Sequence, residues 1–376
     1  MIIGVPRETH RHEHRVGLTP YGVARLTRKG HGVVVEKDAG LEARFTDSEY
    51  EAAGAQVVYS SEEAYKRADL VCRVGMLSGD ELDLVKPGSV ICAFHHLAVA
   101  PRTIVEGLRQ LEATVIGYEL VQNGEGERVV LLPFSEMAGQ MAVFIAAHYL
   151  QNEMAGRGIL LGTVPGIAPP TVLILGAGTV GRTAARRAAA IGAHVIVLDD
   201  NLEKLRALNR EMPSVVTQVP TPERLIQYTA IADVVIGAIL IPGARAPWLI
   251  TEDMVRTMRA GSVILDLSID QGGCVETSRP TTLDNPTYVM HEVVHYCVPN
   301  MTANVARTAS RALSDVVLTR VREITDRGLD AAVTDDPGLA AGLYLYRGHL
   351  VNARLAATLG MDATPLSSLV EAGGRA

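Results

Sequence analysis

The chain has 376 residues, 48% hydrophobic, 4% aromatic and 20% charged, with a net charge of −7 from 35 basic and 42 acidic side chains. That much apolar content excludes a disordered chain, and one core rarely grows past roughly 250–300 residues, so two domains are expected. The acidic balance, with RHEHR as the densest basic stretch, lacks the footprint of a nucleic-acid binder; MIIGVPRETH does not read as a signal peptide, and no apolar run reaches the ~18 residues of a membrane span.

Cys72, Cys92, Cys274 and Cys297 are far apart and form no CxxC pair, so no zinc or other metal site is expected. They read as buried free thiols of a reducing, cytoplasmic protein. Lysines are scarce, at 29, 37, 66, 86 and 204 against thirty arginines.

In chain order, short β-branched runs (IIGV, GVVVE, AQVVY, DLVCRVG, SVICAF, TVIGYE) alternate with helical stretches such as YGVARLTRKG and PRTIVEGLRQLE over about residues 1–120. This is the alternation of βαβ units around a mainly parallel sheet. The stretch SEMAGQMAVFIAAHYLQNEMAG follows, apolar at helical spacing, and reads as a long bridging helix. TVLILGAG, HVIVLDD, VVTQV, ADVVIGAI and SVILDLSI then start a second βαβ series. After residue 300, NVARTASRALSDVVLTRVREITDRG reads as another long helix that carries the chain back to complete the first domain. The expected fold is α/β: two Rossmann-like doubly wound domains with a cleft between them, joined by long helices. Residues 1–132 plus 305–376 would form a substrate domain, and 133–304 a dinucleotide-binding domain. Loops are expected at 122–128 and 162–170.

The most specific local signal is Gly176-x-Gly178-x-x-Gly181, which follows an apolar strand and opens an alanine-rich helix at Thr179 and Val180. Gly176 permits the tight turn, Gly178 allows backbone to approach a pyrophosphate, and Gly181 lets helix and strand pack closely. The amides at the helix start add partial positive charge. Asp199 and Asp200 end the next strand, where an acidic residue receives the ribose hydroxyls and repels a 2′-phosphate. The expected cofactor is NAD.

The whole chain resembles the alanine dehydrogenase family, which is shared with the NAD-binding part of the proton-translocating transhydrogenases. The resemblance rests on GVPRETHRHEHRVGLTP, AFHHLA, GYELVQ, LPFSEMAG, GRGILLGTVPG, ILGAGTVG, GAILIPGARAP, ILDLSIDQGGCVETSRPTT and HYCVPNMTANVARTAS. It implies reversible oxidative deamination of L-alanine or a similar small amino acid, and a homohexamer. By resemblance, Arg15 binds the substrate carboxylate through its guanidinium fork. His96 handles protons near the substrate carbonyl, and Asp270 aids the amine side. Ser135, the backbone of Ala238, Ile239 and Leu240, and Asn300 match positions near the dinucleotide or substrate; Leu267, Ile269 and Met301 would wall the nicotinamide. His95 and Asp266 read as structural.

The pattern departs at LVCRVGML (70–77), where the family reads like LLLKVKEP. The second lysine, a substrate contact in the family, aligns with Gly75; the nearest lysines are Lys66 and Lys86. Arg73 lies two residues back on the same face and is the expected compensating substrate-binding residue. Two alternatives therefore stand beside alanine: reduction of a cyclic or N-substituted imino acid using the room at Gly75, and a non-catalytic NAD-binding protein.

Overall fold

The computed structural model describes residues 1–239 and 246–373. Its first six strands are β1 (Ile2–Val5), β2 (Gly32–Glu36), β3 (Gln56–Val58), β4 (Leu70–Cys72), β5 (Val90–Ala93) and β6 (Thr114–Gly117). They are followed by β7 (Thr171–Leu175), β8 (His194–Leu198), β9 (Val216–Gln218), β10 (Val234–Gly237), β11 (Val263–Asp266), β12 (Thr287–Met290), β13 (Val293–Tyr296), β14 (Leu343–Tyr346) and β15 (His349–Leu350). The chain divides into two compact units, Met1–Phe134 with Ala303 onward, and Ser135–Thr302.

The first unit holds the sheet β15-β14-β6-β5-β4-β1-β2-β3. It is parallel throughout β1 to β6, whereas β14 runs antiparallel to β6 and β15 antiparallel to β14. Every residue of β4, β5 and β6 is buried, as in a parallel sheet covered on both faces. Local chemistry starts the covering helices: Thr19 caps a helix with Pro20 at its first position, and Thr46 with Glu49 and Ser78 with Glu81 form capping boxes.

The second unit holds the sheet β12-β13-β11-β10-β7-β8-β9, parallel except for β12. Ala142, Val143, Ala146, Ala184, Ala185 and Ala188 pack against Val172, Ile174 and Val197, so alanine-rich helices approach the sheet closely. Each sheet reverses its order once, at β1/β4 in the first unit and at β7/β10 in the second. Ligands of open α/β sheets bind outside the carboxyl ends of strands at such points.

The sequence pattern does not mark β12 to β15. It also assigns the second long helix a bridging role that the structure corrects. Helix Ala306–Arg327 lies wholly in the first unit, where the Ser310 and Ser314 hydroxyls accept the amides of Val16 and Thr19 at 3.0 and 3.2 Å. Between the units the chain passes through helix Leu131–Tyr149 and the short turn Met301–Val305. Among the described residues, no helix is long and apolar enough to cross a membrane.

Candidate active site

In the second unit the glycine-rich turn sits at the β7/β10 reversal. Gly176 has φ +104°, and a Cβ there would lie 2.5 Å from the Ala238 carbonyl oxygen, so glycine is required on steric grounds as well. At Gly181 a Cβ would lie 1.9 Å from the Gly176 carbonyl oxygen. At Gly178 it would meet nothing within 4 Å, which leaves the open approach a pyrophosphate needs. Gly178 is also the N-cap of helix Thr179–Ala190 and provides no side-chain cap, so the amides of the first turn are not satisfied by a capping side chain.

Asp199, just past β8, is buried, and its carboxylate holds this turn together. It accepts the Ala177 amide at 2.7 Å on one oxygen and the Asn201 amide at 2.8 Å on the other, and Lys204 lies 3.7 Å away. Asp200 is exposed. The open face at Gly178, the uncapped helix and the carboxylate at Asp199 together fit a dinucleotide.

Asp266, at the end of β11, shapes the segment that carries Asp270. Its carboxylate accepts the amides of Ser268, Cys274 and Val275 at 3.1, 2.9 and 3.1 Å. Burial raises its pKa, against the opposing effect of the Ser278 hydroxyl and these amides. The Ser268 hydroxyl accepts the Ile239 amide at 2.9 Å and joins the ends of β10 and β11. Asp270 is exposed on the turn Ile269–Gln271; Ile269 and Met301 are buried, and Leu267 packs partly buried on the same core as Met301. Asn300 adopts φ +53°, and Ser135 is half-buried on helix Leu131–Tyr149. Leu240 lies outside the described residues.

In the first unit, the carboxyl ends of β4 and β5 remain paired beyond the strands, with the Phe94 amide donated to the Val74 carbonyl at 2.9 Å. Phe94 stacks on His96 at 6.4 Å between ring centroids and meets Phe134 edge-on at 5.3 Å. The Arg15 guanidinium lies 5.3 Å from the Phe134 ring centroid. Arg15 and His96 thus belong to one aromatic-lined cluster. Arg15 is 5% exposed, and Glu13 fixes its fork with bonds of 2.7 Å from Nε and 2.6 Å from Nη2. His96 is exposed in the left-handed region at φ +45°, whereas His95 is fully buried; both lie past the end of β5.

The structure corrects the reading of Arg73. Arg73 and Gly75 both lie past the end of β4, and the Arg73 guanidinium and the α-carbon of Gly75 each lie near the same carboxylate, Glu8. The guanidinium is, however, wholly buried: Nη2 donates to Glu8 at 3.0 Å, and Nη1 donates to Tyr65 at 2.6 Å and pairs with Glu81 at 2.8 Å. Burial opposes its charge, but Glu8, Tyr65 and Glu81 hold its pKa well above the usual range. Arg73 is a buried structural ion and does not compensate for Gly75.

Glu8 also accepts the amides of Val74 at 2.5 Å and Gly75 at 3.3 Å. A Cβ at 75 would make ordinary contacts of 3.5 Å with Glu8 and His10, whose Nε2 donates to the Met76 carbonyl at 3.0 Å. The space beside Gly75 is therefore bordered by a carboxylate and an imidazole. Sequence reasoning singled out neither Glu8, His10 and Glu81 nor Glu119, which accepts the amides of both histidines. The available signals were the capping box at Ser78 and the adjacent motif GYELVQ, but neither carries the long-range pairing.

Two dinucleotide-type α/β units, one with the glycine-rich turn and the other with an arginine and a histidine at its strand ends, define a nicotinamide-nucleotide oxidoreductase. The family descriptions "Alanine dehydrogenase/PNT, N-terminal domain" and "Alanine dehydrogenase/PNT, C-terminal domain" match residues 4–139 and 142–353. The chain is 42% identical over 371 residues to the alanine dehydrogenase of Mycobacterium tuberculosis, covering 98% of this chain and 100% of that one. A solved L-alanine dehydrogenase superposes with a TM-score of 0.92 at 40% identity, covering 96% and 99% of the two chains. A transhydrogenase from Sinorhizobium meliloti follows with a TM-score of 0.81 at 25% identity, covering 93% and 100%. The chain belongs to the alanine dehydrogenase family and is an enzyme of the amino-acid dehydrogenase class.

Proposed function

We propose that the enzyme catalyses the reversible reaction of L-alanine, NAD⁺ and water to pyruvate, ammonium, NADH and a proton. The observation that carries this reading is the clustering of Arg15 and His96 around Phe94 and Phe134 in a chain of this family. When bound, the cofactor supplies the hydride acceptor.

Arg15, oriented by Glu13, holds the substrate carboxylate and fixes the α-carbon. His96 takes and returns the proton at the carbonyl oxygen as water adds and leaves. Asp270 offers a carboxylate to the positive charge that develops on nitrogen. Gly176, Gly178, Gly181, Thr179 and Val180 receive the pyrophosphate, and Asp199 the adenosine ribose. Ser135, the backbone of Ala238 and Ile239, Leu267, Ile269, Asn300 and Met301 complete the cofactor contacts.

The test is a panel of L-amino acids, keto acids with ammonium, and preformed cyclic imines, followed by NADH absorbance. Turnover of alanine and pyruvate is expected. The space beside Gly75 favours a second reading, reduction of a cyclic or N-substituted imino acid, which turnover of imines alone would establish. Tight NADH binding with no turnover of the panel would instead indicate a non-catalytic NAD-binding protein. We place the enzyme in the cytoplasm as a homohexamer; light scattering after size exclusion checks the assembly.

A further inference from the structure

We propose that Glu119 is a positioning residue that clamps the backbone of His96, with Tyr344 as the group that fixes the clamp. The proposal rests on the reading of His96 as the proton-handling group of the reaction.

The clamp follows from sheet register. Ala93 at the end of β5 lies opposite Gly117 at the end of β6, so two residues farther on Glu119 stands beside His95. Its buried carboxylate accepts the His96 amide at 2.6 Å on Oε1 and the His95 amide at 3.2 Å on Oε2. The Tyr344 hydroxyl donates to Oε1 at 2.8 Å. Tyr344 comes from β14, which pairs antiparallel with β6, so the carboxyl-terminal part of the chain supplies a hydroxyl to the carboxylate at the end of β5.

Two further features show that the arrangement is built. Gly117 lies against the tyrosine, since a Cβ there would sit 2.4 Å from Tyr344 Cε2 and 3.1 Å from Glu119 Oε1. His96 holds a left-handed backbone conformation that is uncommon for residues other than glycine, φ +45°. A carboxylate that binds two successive amides selects this conformation, turning His95 into the core and His96 outward beside Phe94. Only an acceptor-only group suits the position, because three donors converge on it.

The experiment compares wild type, Glu119→Gln, Glu119→Asp and Tyr344→Phe by hydrogen exchange over residues 94–97 and by steady-state kinetics. A glutamine offers one acceptor oxygen and turns an amide nitrogen toward a backbone donor. Glu119→Gln is therefore expected to exchange about tenfold faster at His95 and His96 and to lose kcat by about 10- to 100-fold, with the KM for NADH within twofold. Glu119→Asp should recover part of both losses. Tyr344→Phe keeps both amide bonds and should lower kcat only a few-fold, and it carries the test if Glu119→Gln does not fold. Folded Glu119→Gln with wild-type exchange and kcat overturns the proposal, as does a loss of kcat with exchange unchanged. A wild type that turns over no substrate defeats the reaction reading alone, since the exchange comparison then still decides the clamp.

Discussion

Glycine at position 75 has an open α-carbon with Glu8 and His10 each 3.5 Å from the place of a Cβ. A side chain there meets only ordinary contacts, and Gly75 is absent from the residues with positive φ. Gly75→Lys should therefore fold normally. If an ammonium beside the substrate is what limits alanine turnover, kcat/KM for alanine rises by about 10-fold or more, since one such contact is worth on the order of 10²–10³. An unchanged kcat/KM, measured with NADH formation, shows that the chemistry at this strand end does not depend on an ammonium. Arg15 makes a different prediction because Glu13 already fixes its fork. If Arg15 anchors the substrate carboxylate as proposed, Arg15→Ala leaves the glycine-rich turn intact, and the KM for alanine should rise by about 10-fold or more while NADH affinity stays constant. Equal losses in both would remove Arg15 from the substrate side. The burial of Arg73 is not legible in the sequence, because alternation gives the face of a side chain and not its partners, and Glu8 lies 65 residues away.

At the scale of elements, the glycine-rich turn is legible because its three glycines stand at fixed spacing between an apolar strand and an alanine-rich helix, although only Gly181 meets its steric demand locally, against the Gly176 carbonyl. The eleven strands of the two βαβ series were legible from their β-branched runs. Strands β12 to β15 were not: they are two to four residues long, and β12, β14 and β15 run antiparallel to their neighbours, a relation that a local pattern does not encode. The same limit hid Glu119 and Tyr344, 225 residues apart and joined only by the pairing of β6 with β14. The turn after β7 gives a prediction at this scale, since Asp199 binds Ala177 and Asn201 at once. Asp199→Ala leaves both amides without their acceptor, and stability should fall by about 1–3 kcal/mol. NADH should bind about tenfold or more weakly, and the preference over NADPH should narrow as the charge that opposes a 2′-phosphate is removed. Fluorescence titration with both cofactors checks this, and unchanged affinity for each would remove Asp199 from the ribose. The ion cluster behind β4 gives another. Arg73→Met leaves Glu8 and Glu81 buried without their cation and should cost about 3–5 kcal/mol in denaturant unfolding. A loss below about 1 kcal/mol would show that water reaches those carboxylates.

At the scale of the whole molecule, each unit carries one wholly buried neutral imidazole, and the two share a response to acid. In the first unit, His95 donates from Nε2 to the Ile91 carbonyl at 3.4 Å, and its Nδ1 is buried without a partner among the described residues. In the second, His295 donates from Nδ1 to the Val293 carbonyl at 3.0 Å, accepts the Thr277 hydroxyl at 2.8 Å and stacks on Tyr288. Burial lowers the pKa of both to about 4. A depressed folded-state pKa means that the unfolded chain binds the proton first, as pH falls through about 6.5. The contribution of each histidine to stability is thus complete above about 6.5, falls below it, and is gone once the folded imidazole protonates near 4. The shift of about 2.5 pH units corresponds to about 3 kcal/mol for each residue at most. Burial raises the pKa of Asp266, which acts with the opposite sign and stabilises the folded state as pH falls. Glu81 is held low by Arg73 despite the opposing effect of burial, and its contribution is lost only below the ordinary carboxylate range. Net stability should therefore decline between pH 6.5 and 4, with both units losing it over the same interval. Urea unfolding at pH 7.5, 6, 5 and 4 measures the decline. His95→Gln and His295→Gln should each flatten it by up to about half, since glutamine keeps a hydrogen-bonding group and has no proton to gain. A wild-type stability that stays level from pH 6.5 to 4.5, or a decline that both substitutions leave untouched, would show that these imidazoles take up their protons without unfolding the chain.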